Sequence, residues 1–142
     1  MVKMIDDKLI EQISRHEGTV LSLYKCSAGK LTIGTGHNIE DLGISQEVSD
    51  VMLGEDLQIA QQAAESMDYY YSLNNARQGV ITNMVFNMGM PTFLKFKNMN
   101  AALNVGDYEV AADEMKDSVW YVQVGDRGRE LEAQMRNGEY AD

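Results

Sequence analysis

The chain has 142 residues, with an apolar share of 44% and a charged share of 24%. That is enough for one domain with a real core, and it is not the composition of a disordered segment. A formal net charge of -10 excludes nonspecific nucleic-acid binding, which needs Lys and Arg to displace counterions. A single cysteine forbids an internal disulfide, so nothing asks for an oxidising compartment. No apolar run is long enough to cross a bilayer, so stable membrane insertion is not expected. The first eight residues are polar and lack the pattern of a secretory signal, which predicts folding in a cytoplasm.

Leu9, Ile10 and Ile13 fall at helical spacing between about Asp6 and His16. Asp6 or Asp7 can cap the start, and Gly18 marks the stop. Glu17 therefore lies at the last turn of the first helix. Leu21 to His37 reads as strand, with Ser27-Ala28-Gly29 as the turn. A three-residue loop ending in a left-handed glycine pairs Cys26 with Lys30 and Tyr24 with Thr32. Cys26 and Thr32 then share a face as diagonal neighbours, with Gly34 and Gly36 leaving that face nearly bare. Between His37 and Ser45 only a short connection fits.

Ser45 can cap a long helix to about Met67, with Val48, Val51, Met52, Ile59 and Ala63 as a broken apolar stripe and Gly54 as a soft spot. Tyr69 to Leu73 reads as a turn or short helix. Asn74 or Asn75 caps the strongest helix, which ends at Gly89. Ala76, Val80, Ile81, Met84, Val85 and Met88 line one side, Phe86 lies off that stripe, and Pro91 follows as a stop signal. Shorter helices are predicted over Lys97 to Leu103, Asp107 to Val119 and Asp126 to about Met135. The order of one helix, a hairpin and then helices only is an α+β domain, mostly α.

Catalytic schemes sort by elimination. There is no Gly-x-Ser-x-Gly elbow. A Cys/His pair from Cys26 with His16 or His37 is conceivable, but Cys26 sits on a hairpin rather than at a helix N-terminus. One Cys and two His lack zinc spacing, and no calcium loop is present, so no metal and no cofactor is expected. Acid catalysis is better placed. A glycosidase needs a proton donor on one side of the bond and a second group on the other to activate water or stabilise positive charge. Glu17 meets the hairpin where it can face Cys26 and Thr32 across a half-buried groove.

Glu17, eight residues, Cys26, five residues and Thr32 form a spaced set, with Tyr24-Lys25 before the Cys and Thr32-Ile33-Gly34-Thr35-Gly36-His37 closing it. Two further blocks are Asn83-Met84-Val85-Phe86-Asn87-Met88-Gly89 and Trp120-Tyr121-Val122-Gln123 with Arg127 beyond. In this order they resemble the T4-type phage lysozymes (endolysins, muramidases) of glycoside hydrolase family 24. The resemblance implies a lysozyme-like, two-lobed fold: a hairpin lobe over about 17–60 and a larger helical lobe over about 74–142 with the N-terminal helix, a cleft lying between them. It implies hydrolysis of the β-1,4 bond between N-acetylmuramic acid and N-acetylglucosamine in bacterial peptidoglycan, for host cell lysis.

By position, Glu17 is the expected proton donor, Cys26 replaces the second catalytic acid, and Thr32 helps hold the attacking water. Phe86, Asn38 and Gly34 are the expected substrate contacts. His37, expected to pair with Asp56, supports the site, as does Arg127 near the catalytic Glu. The family also implies a monomer that waits in the host cytoplasm until a separate holin-type protein releases it to the wall. Cys26 is neutral unless ionised, so it can serve as a thiolate base, a nucleophile or a polar spacer. Two alternatives therefore stay open: a lytic transglycosylase, which needs one essential Glu, and a non-catalytic wall-binding module.

Overall fold

A computed structural model describes residues 4–141. The chain resolves into two compact units, one running through Asp50 and the other starting at Val51. The first unit holds the first helix and the hairpin.

The first unit opens with helix α1 (Asp7–Glu17). The Asp6 carboxylate accepts from the Lys8 amide at the N-cap, and Gly18 closes the helix with φ 67°. None of its residues is buried; Leu9, Ile10 and Ile13 leave about half their surface open. Strands β1 (Val20–Lys25), β2 (Leu31–Gly34) and β3 (His37–Asn38) form an antiparallel sheet in the order β1-β2-β3. The Cys26 amide donates to Lys30 O at 3.0 Å, Gly29 takes φ 78°, and Tyr24 pairs with Thr32. The predicted register is the observed one.

Between the Val20–Gly34 and Tyr24–Thr32 pairs, β1 carries two more residues than β2, so Leu21 to Leu23 bulge out of the ladder. The connection after His37 is richer than expected. It holds β3 and the short helix α2 (Ile39–Leu42), which Lys30 ties to the hairpin through Glu40 at 3.5 Å and Asp41 at 3.3 Å. Strand β3 escaped notice because two residues show no alternation to read.

Helix α3 (Gln46–Glu65) starts at Ser45, whose hydroxyl accepts from the Val48 amide, and it runs through Gly54 without a break. The expected stripe is not its buried face. Val48, Val51, Met52 and Ile59 are exposed, and Ala60 and Ala64 are the buried positions. Small side chains let the helix backbone approach its neighbours closely, a signal that large apolar residues on the other faces mask.

The second unit is organised around helix α4 (Asn75–Met88), capped by Asn74 and closed at Gly89 as predicted. Ala76, Val80, Ile81, Met84 and Val85 are buried, and Phe86 is off the stripe and exposed. Pro91 does more than stop α4: it sits in the first turn of α5 (Met90–Phe93), where its missing amide costs nothing. Helices α6 (Lys97–Asn104) and α7 (Tyr108–Lys116) follow. Ser118 then caps a separate helix α8 (Val119–Val124), which the predicted Asp107 to Val119 helix did not separate. Helix α9 (Asp126–Asn137) ends at a left-handed Gly138. Met84, Met99, Met115 and Met135 are fully buried around Phe93, so flexible thioethers fill much of this core.

Polar ties fix the helices to one another. Arg77 of α4 donates to the carbonyls of Met135 at 2.7 Å and Arg136 at 2.8 Å, using acceptors that the end of α9 leaves free. Its guanidinium also lies 4.0 Å from the Tyr108 ring centroid. Arg136 meets Glu109 and Asp113 of α7 and Glu132 of its own helix at 2.7–2.8 Å. Those carboxylates hold its guanidinium in the charged form even more firmly than usual. Within the core, the Tyr69 hydroxyl donates to Asn100 Oδ1 at 2.5 Å, and Asn100 Nδ2 donates to Phe96 O at 2.9 Å. Burial raises the Tyr69 pKa, so the phenol stays a donor.

Replacing Asn100 by Leu strands that phenol and should cost about 2–3 kcal/mol in urea unfolding. Tyr69→Phe together with Asn100→Leu should cost less than the sum of the two single changes, because both partners leave together. Additive losses would mean that the pair is not coupled.

Candidate active site

Glu17 is the last residue of α1, and the Gly18 stop turns the chain away immediately after it. Its side chain lies on the backbone of Gly36: a Cβ built at Gly36 would stand 2.9 Å from Glu17 Cδ and Oε2. Gly36 has φ 67° and sits in the turn between β2 and β3. The Thr19 and Thr35 hydroxyls, 2.8 Å apart, hold this turn against the chain leaving α1. Glu17 itself is exposed rather than half-buried as expected.

Cys26 is the half-buried first residue of the hairpin turn. Its thiol pKa is lowered. The largest cause is a hydrogen bond from the Lys30 amide, followed by that of Ala28; partial burial opposes the shift, and the Thr32 hydroxyl adds to it. Thr32 is 2% exposed on the central strand. Its hydroxyl donates to Lys30 O at 2.9 Å. The register places Cys26 and Thr32 on one face as diagonal neighbours, as the sequence predicts.

Gly34 ends β2 with φ 73°, and a Cβ there would meet open space, so a ligand can approach its backbone. The Asn38 Oδ1 caps α2 by accepting from the Asp41 amide, and its Nδ2 donates to Asp41 Oδ2, both at 3.0 Å, which leaves one N–H and one oxygen lone pair of the amide available. His37 Nε2 lies 2.6 Å from Gly43 O. The glycine at the end of α2, with φ 60°, turns that carbonyl back toward the ring.

The second unit contains Phe86, Arg127 and Asp56. Phe86 and Arg127 border a cavity of about 690 Å³ with Gln78, Thr82 and Asn83. Arg127 Nε donates to Asn83 Oδ1 at 2.8 Å, which anchors α9 to α4 at the cavity wall. Asp56 borders a smaller, mostly apolar cavity of about 400 Å³ with Ile59, Val85 and Phe86. The Trp120 indole donates to Asn87 at 2.8 Å and tethers α8 to the end of α4. Asn83 and Asn87 were noted only as parts of a motif; their bonds join residues 44 and 33 positions apart and leave no local trace. Gly36 was seen as a bare surface, with no sign that Glu17 lies on it.

A small unit that sets a helix-end Glu beside a hairpin carrying a Cys and a Thr on one face, followed by a helical unit built on α4, matches one known pattern along most of the chain. Residues 14–137 fit the phage lysozyme family. The chain belongs to that family. It is 38% identical over 115 residues to an endolysin of Acyrthosiphon pisum secondary endosymbiont phage 1, covering 78% of this chain and 76% of that one. It is 30% identical over 168 aligned positions to the probable T4-type lysozyme 1 of Dictyostelium discoideum, covering 97% and 96%. The pre-baseplate central spike protein Gp5 of Enterobacteria phage T4 is 28% identical over 148 positions, which take in 84% of this chain but 26% of that longer protein. The family makes this chain a lysozyme, a glycoside hydrolase whose substrate is peptidoglycan. Among the described residues, no helix is long and apolar enough to cross a membrane, and no cluster of candidate ligands suits a metal ion.

The hydrogen bonds at Cys26 carry a direct expectation. Iodoacetamide alkylation of the folded chain should titrate at lower pH than alkylation of the urea-unfolded chain. A thiol pKa depressed by folding adds stability as pH rises through the folded value. The gain is complete above the unfolded value and is lost again as pH falls through the folded one, so Cys26→Ser should lack this increment. A folded midpoint at or above the unfolded one would contradict the assignment.

Proposed function

We propose that this lysozyme is an endolysin that hydrolyses the β-1,4 bond between N-acetylmuramic acid and N-acetylglucosamine, with Glu17 as the proton donor. The observation that carries the proposal is the concentration of Glu17, Cys26 and Thr32 in one small unit. There the Glu17 carboxyl rests on bare backbone, and Cys26 and Thr32 lie on one face of the hairpin as diagonal neighbours. In this scheme Glu17 gives its proton to the glycosidic oxygen as the bond breaks and the sugar ring gains positive charge. Thr32 holds a water through its hydroxyl lone pairs. Cys26, with its lowered pKa, takes that water's proton as a thiolate base. Phe86 presents an exposed ring for a sugar face, and Gly34 an open backbone. Arg127 and His37 support the site rather than react, each held by one hydrogen bond within its own unit.

The rest of the biology follows the family resemblance. The enzyme acts as a monomer, waits in the host cytoplasm, and reaches the wall when a holin-type protein opens the membrane.

The base assignment separates the three roles open to Cys26. Glu17→Gln should abolish clearing of purified peptidoglycan while leaving the melting transition in place. Cys26→Ser should lose at least about tenfold in rate, as expected on removing a general base. Cys26→Asp should keep activity and extend it to lower pH, because a carboxylate ionises well below a thiol. Full activity in Glu17→Gln would end the proposal; a fully active Cys26→Ser would reduce Cys26 to a spacer.

A further inference from the structure

Five glycines of the first unit take positive φ: Gly18, Gly29, Gly34, Gly36 and Gly43. At four of them an added Cβ would meet nothing within 4 Å. Local backbone conformation is reason enough for glycine at those four. Gly36 is different. Its Cβ would stand 2.9 Å from Glu17 Cδ and Oε2 and 3.0 Å from Cγ, all inside van der Waals contact. The atoms in the way are the far end of a flexible side chain, so the fold can survive a substitution by moving the Glu17 carboxyl aside. The turn is not free to retreat, because Thr35 is tied to Thr19 at 2.8 Å and Ile33 and His37 pair across β2 and β3.

We propose that Gly36 is a positioning residue for the reaction: its bare Cα is the platform that sets where the Glu17 carboxyl lies. This rests on Glu17 being the proton donor. A side chain at residue 36 lifts the carboxyl off the turn, and proton transfer in the transition state is sensitive to displacements on that scale. Catalysis suffers while substrate binding, spread over many other contacts, does not.

The test uses the full chain and a soluble, uncross-linked peptidoglycan glycan, with kcat and KM measured separately. Gly36→Ala should lower kcat by about tenfold or more with KM within about twofold, the scale of loss that misplacing a reacting group produces. Gly106→Ala, in the loop between α6 and α7, is the control for left-handed strain. It has φ 73° and open space around the new methyl, and it should stay within about twofold of the parent in kcat.

A thermal cycle reads the contact itself. Gly36→Ala should lower Tm more in the parent than in the Glu17→Ala background, where no carboxyl remains to clash. A kcat loss no larger than that of Gly106→Ala, or an equal Tm loss in both backgrounds, would overturn the proposal. Should Gly36→Ala fail to fold, the double variant still decides. Recovery of folding on removing the Glu17 side chain supports the clash, and continued failure refutes it. Full activity in Glu17→Gln would remove the donor assignment instead, a separate failure that the thermal cycle does not touch.

Discussion

The register of one hairpin governs the chemistry of this chain. The bond from the Cys26 amide to Lys30 O closes a three-residue loop that only a left-handed residue such as Gly29 completes without strain. Once that bond forms, Tyr24 must face Thr32, and Cys26 and Thr32 must fall on the same side of the sheet. A slip of one residue would turn Cys26 to the opposite face and separate the two groups. The same loop brings the Lys30 and Ala28 amides to the sulfur, so the turn that sets the geometry also lowers the thiol pKa. The bulge in β1 and the short β3 add shape to this frame without altering the pairing at its tip.

The helical unit meets different demands. Four of its largest fully buried side chains are methionines, which pack irregular gaps but specify helix positions weakly. Specificity comes instead from polar ties of fixed geometry. Arg77 closes the end of α9, Arg136 collects three carboxylates between α7 and α9, and Asn100 receives the Tyr69 phenol inside the core. Arg127 with Asn83 and Trp120 with Asn87 belong to the same class of tie, and they sit at the residues by which the family is recognised. Part of what reads as a family motif in this unit is therefore the means of fixing α4 to α8 and α9.

What the sequence made legible was local. Asp6, Asn74 and Asp107 cap the helices predicted to start at them, and Ser27-Ala28-Gly29 sets the hairpin. The apolar stripe of α4 named its buried face because large side chains were the ones buried. The same logic failed on α3, where Ala60 and Ala64 are buried and the larger residues are not. It also passed over β3, α2 and α8, which are too short to show a period. At the site, spacing gave the shared face of Cys26 and Thr32. The partners of Glu17, His37 and Arg127 are contacts between segments, and no local pattern encodes them. The Asn38 cap of α2 is local, but the short helix that it starts shows no period to reveal it.

The central claim is that this site adds water across a glycosidic bond with Glu17 as the acid. The most direct measurement is mass spectrometry of the muropeptides released from purified peptidoglycan in water enriched in oxygen-18. The account predicts reducing muramic acid ends that each carry one oxygen from the solvent. Anhydro ends without solvent oxygen would contradict it and assign the chain to ring closure instead, and wall binding with no release would contradict catalysis altogether.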